Sequence, residues 1–166
     1  MIKKYTKNES YMHLKAKEVL KEWFDSSQIP NSDVHDLCGF YYKPNRDSGC
    51  WLEYPICKVR GTSSWEMNWD EIASDDSGMC RMDEYIPTFD ECINKFNSVP
   101  IAIIDVVCCH KGSPSFGIEI CHKNPTSNEK INALKEFGVD ELYEINATWI
   151  LSQISRPKYL EYKQLI

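Results

Sequence analysis

Between Glu9 and Phe24, apolar residues fall at Tyr11, Leu14, Ala16, Val19, Leu20, Trp23 and Phe24. This spacing is close to helical and predicts an amphipathic helix. Asn8 or Ser10 can cap its start, and Asp25-Ser26-Ser27 with Pro30 ends it. Phe40-Tyr41-Tyr42 has the composition of a short strand, followed by a polar turn over residues 43–49. Trp51 to Arg60 predicts a strand, with Pro55 marking an edge or a bulge. Pro87 to Phe96 predicts a short helix, capped by Thr88 with Glu91 three residues on.

The pattern changes at residues 100–123. Ile101 to Val107 is almost wholly apolar and β-branched, as suits a strand covered on both faces. Lys111-Gly112-Ser113-Pro114 supplies turn chemistry, and Phe116 to Cys121 is apolar again. Each run holds one carboxylate, Asp105 in the first and Glu119 in the second. A carboxylate within an apolar strand is costly unless it is paired or binds a cation. Strict alternation puts Asp105 on a face with Ile103 and Val107, and Glu119 with Gly117, Cys121 and Lys123. If the strands pair as a hairpin, both carboxylates can share a face and hold one hard cation through oxygen ligands. The plainer alternative places each at a strand end, against a lysine or a helix N-terminus.

Glu129 to Phe137 then predicts a helix closed by Gly138. Leu142 to Leu151 predicts a strand that turns helical near Trp149, and the tail from Pro157 a last helix. The resulting order is helix, strand, insertion, strand, strand, helix, strand. Its natural packing is an α/β domain, a mixed central sheet flanked by helices.

The 166 residues suffice for one domain with a real core, so residues 1–166 read as a single unit. No apolar run is long enough for a membrane span, and the start shows no secretory signal. The eight cysteines, with no C-x-x-C pair, therefore read as reduced thiols of an intracellular protein. The net charge of −6 is set by residues 61–91, which hold nine acidic residues and one basic one, Arg81. The remainder carries 18 basic against 16 acidic residues, which permits phosphate binding without indicating it. Trp65 and Trp69 are placed to pin this acidic stretch to the body, and Asp83, Glu84 and Asp70-Glu71 read as a solvated face.

An Asp on the second core strand and a Glu on the third, in this element order, resembles the PD-(D/E)XK nuclease superfamily. Glu-Ser-x-x-His-x-x-x-Lys at Glu9, Ser10, His13 and Lys17 resembles the first helix of its competence-associated, CoiA-like branch. Gly138-Val139-x-x-Leu142-Tyr143-Glu144-Ile145 through Trp149-Ile150-Leu151 is similar to the same branch. The chain as a whole is similar to uncharacterised proteins of large DNA viruses. The resemblance covers residues 9–24 and 100–151. It implies a restriction-endonuclease-like αβββαβ core with residues 61–98 as an acidic insertion before the second core strand. It also implies hydrolysis of phosphodiester bonds, with nucleic acid as partner, DNA ahead of RNA, and Mg²⁺ or Mn²⁺ as cofactor. The setting would be intracellular, in a virion or host cytoplasm if the source is viral. Asp105 and Glu119 would be the metal ligands, with Glu9 and His13 nearby and Lys17 on the same helix. The family's Lys or Gln, two residues after the Glu, is here Cys121, which carries no positive charge. Lys123 lies two residues further and can reach back. Many enzymes of this fold act as homodimers, although no self-complementary surface is readable here.

Two rival readings remain. One keeps the fold without the activity, as a module that binds nucleic acid or protein, with Cys121 as the reason. The other is a structural zinc site drawn from Cys108 or Cys109, His110, Cys121 and His122.

Overall fold

The structure, a computed structural model, describes residues 10–25, 49–59, 62–63, 65, 94, 99–110, 113–155, 157 and 160–166. The expected strand at residues 40–42 and the helix over 87–96, apart from Asn94, lie outside these residues, as do Glu9 and Trp69.

The described elements are α1 (Tyr11–Asp25), β1 (Gly49–Val59), β2 (Thr62–Ser63), β3 (Val99–His110), β4 (Ser113–Cys121), α2 (Asn128–Glu136), β5 (Leu142–Asn146), α3 (Ala147–Ser152) and β6 (Lys163–Gln164). They build one six-stranded sheet in the order β2-β1-β3-β4-β5-β6. β1 pairs antiparallel with β2 and β3, β3 pairs antiparallel with β4, and β5 is parallel to β4. The parallel step needs a crossover, and α2 supplies it. The tail forms a short antiparallel edge strand against β5, where the sequence predicted a helix. Its two residues pair with Tyr143 and Glu144 of β5, and that tertiary demand overrides local preference.

Helices cover both faces. Ala16, Leu20, Trp23 and Phe24 of α1 and Ala147 and Ile150 of α3 pack on Val106, Cys108, Phe116, Ile118 and Ile145. On the other face Leu134 of α2 packs with Ile104, Val107, Leu142 and Trp65. Trp65 does pin the start of the acidic segment: it is buried, and its Nε1–H donates to Asp140 Oδ1 at 3.0 Å.

Two expectations fail in this core. Strict alternation puts Leu52 with Tyr54 and Ile104 with Val106. Instead, Leu52 and Val106 face α1, while Tyr54 and Ile104 face α2. The alternation therefore inverts at Glu53 and Asp105, the residues between. Glu53 marks the break on β1 with a φ of 58°, a left-handed conformation unusual for a residue with a side chain. The thiols, expected to be reduced, are not all so. Cys50 and Cys108 are opposed in the β1–β3 register, their Cα atoms 4.3 Å apart, and form a disulfide. Cys109 and Cys121 are free thiols.

Candidate active site

The β1–β3 register sets Glu53 opposite Asp105, between the pairs Leu52–Val106 and Tyr54–Ile104. The β3–β4 register, carried one step past Val106–Ile118, sets Asp105 opposite Glu119. Glu119 pairs with Glu144 on β5. Four carboxylates thus stand at one level across four adjacent strands, and each has partners.

Asp105 is held from α1 and from β4. Its Oδ2 accepts from His13 Nε2 at 3.0 Å and from the backbone N–H of Ile120 at 2.8 Å. Its Oδ1 lies 3.5 Å from Lys17 Nζ, which also pairs with Glu53. His13 and Lys17 are four apart, so one helical face presents both to the sheet. Lys17 is only 1 % exposed and is compensated by two carboxylates. Burial alone would raise the Asp105 carboxyl. The His13 hydrogen bond, the Lys17 charge and the Ile120 N–H outweigh it and hold the group below the usual carboxylate range.

Glu119 is held from the opposite side of the sheet. Its Oε2 accepts from Lys130 Nζ at 2.6 Å. Ser127 caps α2 by accepting the Lys130 backbone N–H, which fixes the helix turn that carries this lysine. Glu119 Oε1 is buried and has no hydrogen-bond partner among the described residues. Burial, only partly offset by Lys130, pushes the carboxyl up to about 7, and the nearby Asp105 charge adds to the rise. Asp105 and Glu119 therefore titrate in opposite directions although they adjoin, a pattern common at functional sites.

The sequence-derived candidates separate into three groups. Asp105, Glu119, His13 and Lys17 converge. Lys123 is exposed beyond the end of β4, and lysine contacts to the carboxylates come instead from Lys17 and Lys130. Glu9 lies outside the described residues. Cys121 donates its thiol to Asn124 O, and burial raises its pKa, so it carries no charge into the site. His122 pairs through Nδ1 with Ser10 Oγ at 3.0 Å, tying the start of α1 to the end of β4.

Sequence reasoning missed Glu53, Lys130 and the placement of Glu144. Glu53 and Lys130 belong to an ordinary strand and an ordinary amphipathic helix, and only pairing and packing bring them in. Of the zinc set, Cys108 is bound to Cys50, and the His110 side chain is outside the described residues. Burial also drives the Cys109 thiol far above its ordinary value, against thiolate formation.

Among the described residues no group of three His, Cys, Asp or Glu side chains is spaced to hold a metal ion. No helix among them is long and apolar enough to cross a membrane. Compared with protein-family models, curated proteins and solved structures, the chain matches none.

Proposed function

We propose that the chain is a metal-dependent nuclease hydrolysing phosphodiester bonds of nucleic acid. The observation that carries this reading is the buried pair Asp105 and Glu119 on adjacent strands, with Glu119 Oε1 unpartnered among the described residues. The element order α1-β1-β3-β4-α2-β5 supports it, with three antiparallel strands and then a parallel one. That is the αβββαβ order of the resemblance.

The donor chemistry of Asp105 and Glu119 suits Mg²⁺ or Mn²⁺, although their partners come from opposite faces of the sheet, α1 for one and α2 for the other. Carboxylate oxygens are hard ligands, and Mg²⁺ commonly takes one or two carboxylates, with waters and substrate phosphate completing its shell. Asp105 and Glu119 would be the protein's share. When bound, the ion would lower the pKa of water and neutralise charge on the scissile phosphate.

The remaining chemistry falls to the chain's own groups. His13 and the Ile120 N–H fix the Asp105 carboxylate, and Lys17 locks it to Glu53. Lys130, 30 % exposed, balances Glu119 and is the lysine best placed to meet a phosphate. An ammonium there stabilises charge developing in the transition state.

A second reading, a nuclease fold that binds without cutting, is favoured by Cys121 at the family's lysine position. A cleavage assay on mixed DNA and RNA with Mg²⁺, Mn²⁺ or EDTA separates the two, comparing wild type with Glu119→Gln. Metal-dependent cleavage lost in the variant is the expected result. Folded protein that binds nucleic acid without cutting it in any metal would establish the second reading.

A further inference from the structure

A cavity of about 280 Å³ opens beside the candidate site, lined by Cys121, Glu144, Asn146, Trp149, Glu161, Tyr162 and Lys163. Its position follows from the register. Glu144 is the strand partner of Glu119, and Cys121, two residues past Glu119, is the partner of Asn146. The cavity therefore lies one strand from the buried carboxylate pair, at the carboxyl ends of the parallel strands β4 and β5. Ligands of α/β sheets commonly bind at such ends.

The lining suits a flat, polar-edged ring. Each aromatic ring is anchored edge-on by a more buried one. Trp149 meets Trp23 with centroids 6.4 Å apart at 84°, and Tyr162 meets Tyr143 at 5.1 Å and 81°. The rings are held in place, yet Tyr162 is 48 % exposed and Trp149 only half-buried, so stacking surface remains. Polar capacity remains too. Asn146 spends its Oδ1 on the Trp149 N–H, which leaves its amide N–H₂ as donor. Glu144 spends Oε2 on the Thr126 N–H, which leaves Oε1 as acceptor. Lys163 adds a positive charge at the rim. Cys121 forms a short, uncharged wall. A lysine at this position would project its longer stem into the cavity.

We infer that this cavity is a subsite for one unpaired nucleobase of the substrate strand, stacked on Tyr162 and Trp149. The free carboxylate oxygen of Glu144 accepts from an exocyclic amino group, which favours cytosine or adenine over thymine. Stacking on aromatic rings with edge hydrogen bonds is the general mode of single-strand recognition. The inference rests on the nuclease reading and gives a reason for Cys121 where that reading expects lysine: the position forms the wall of a base pocket.

The test is fluorescence titration of oligo(dC), oligo(dA) and oligo(dT) in EDTA, with cleavage kinetics of the same strands in Mn²⁺. Tyr162→Ala should weaken oligo(dC) binding and raise KM about tenfold, while Tyr162→Phe keeps both. Cys121→Met, which adds bulk without charge, should weaken binding similarly, and oligo(dT) should bind about fivefold more weakly than oligo(dC). Wild type that cleaves, with Tyr162→Ala unchanged or with no preference for amino-bearing bases, overturns the subsite alone. Wild type that neither binds nor cleaves overturns the nuclease reading and the subsite with it.

Discussion

Lys130 Nζ lies 2.6 Å from Glu119 Oε2, although the lysine belongs to a helix and the glutamate to a buried strand before it. In the proposed nuclease this pairing would supply the charge that Cys121 cannot. Lys130→Met should lower kcat about a hundredfold under saturating Mn²⁺, the scale of losing one transition-state donor. It should also move the pH midpoint of cleavage upward, because Lys130 lowers the Glu119 pKa. Lys123→Ala should leave both unchanged. A loss confined to Lys123→Ala would return the role to Lys123.

The raised Glu119 pKa has a consequence for stability. The group holds its proton up to about 7 when folded and releases it near 4.5 when unfolded. The folded state therefore binds more protons between those values, and stability falls as pH rises through that window. Asp105 acts in reverse: its stabilisation is present above 3.8 and is lost as pH falls through its lowered folded value. Urea unfolding at intervals from pH 4 to 8, with EDTA, should show the decline above 4.5 in wild type and a flatter curve in Glu119→Gln. Identical slopes would mean that Glu119 is not the titrating group.

Lys17 is a buried cation between two acids. Lys17→Met should cost about 3–5 kcal/mol, as removal of one partner leaves uncompensated buried charge. Denaturant unfolding reads this directly. A loss under about 1 kcal/mol would show that the site relaxes around the vacancy and that the pairing contributes little, as for exposed pairs.

The Cys50–Cys108 disulfide closes a loop with a sequence separation of 58. Reduction should lower stability by about 2–4 kcal/mol, and the double variant Cys50→Ala with Cys108→Ala should become insensitive to reductant. Mass spectrometry of alkylated protein identifies the pair. Both thiols alkylated without reduction would refute the bond.

Gly117 of β4 faces Leu142 and Ile104 at close quarters. A Cβ there would lie 2.9 Å from Leu142 Cδ1 and 3.1 Å from Ile104 Cγ2. Gly117→Ala should cost about 1–3 kcal/mol through overpacking. Thermal unfolding gives the value, and an unchanged midpoint would mean that the two side chains yield freely.

The sequence by itself determined what short-range chemistry determines. Helical spacing placed α1 and α2, β-branched runs placed β3 and β4, and Gly138 closed α2 with its φ of 89°. The same runs singled out Asp105 and Glu119, because a charge within an apolar strand is conspicuous in one dimension. Tertiary structure alone decided who meets them. Strict alternation could not anticipate the inversion at Glu53 and Asp105, which gives Asp105 to α1 and leaves Glu119 to α2. Lys130 and Glu53 carry no local mark, since exposed lysines and strand glutamates are ordinary. The Cys50–Cys108 bond depends on a register between segments far apart in the chain. Local patterns fix elements through neighbouring side chains, whereas a site is fixed by the packing of distant ones.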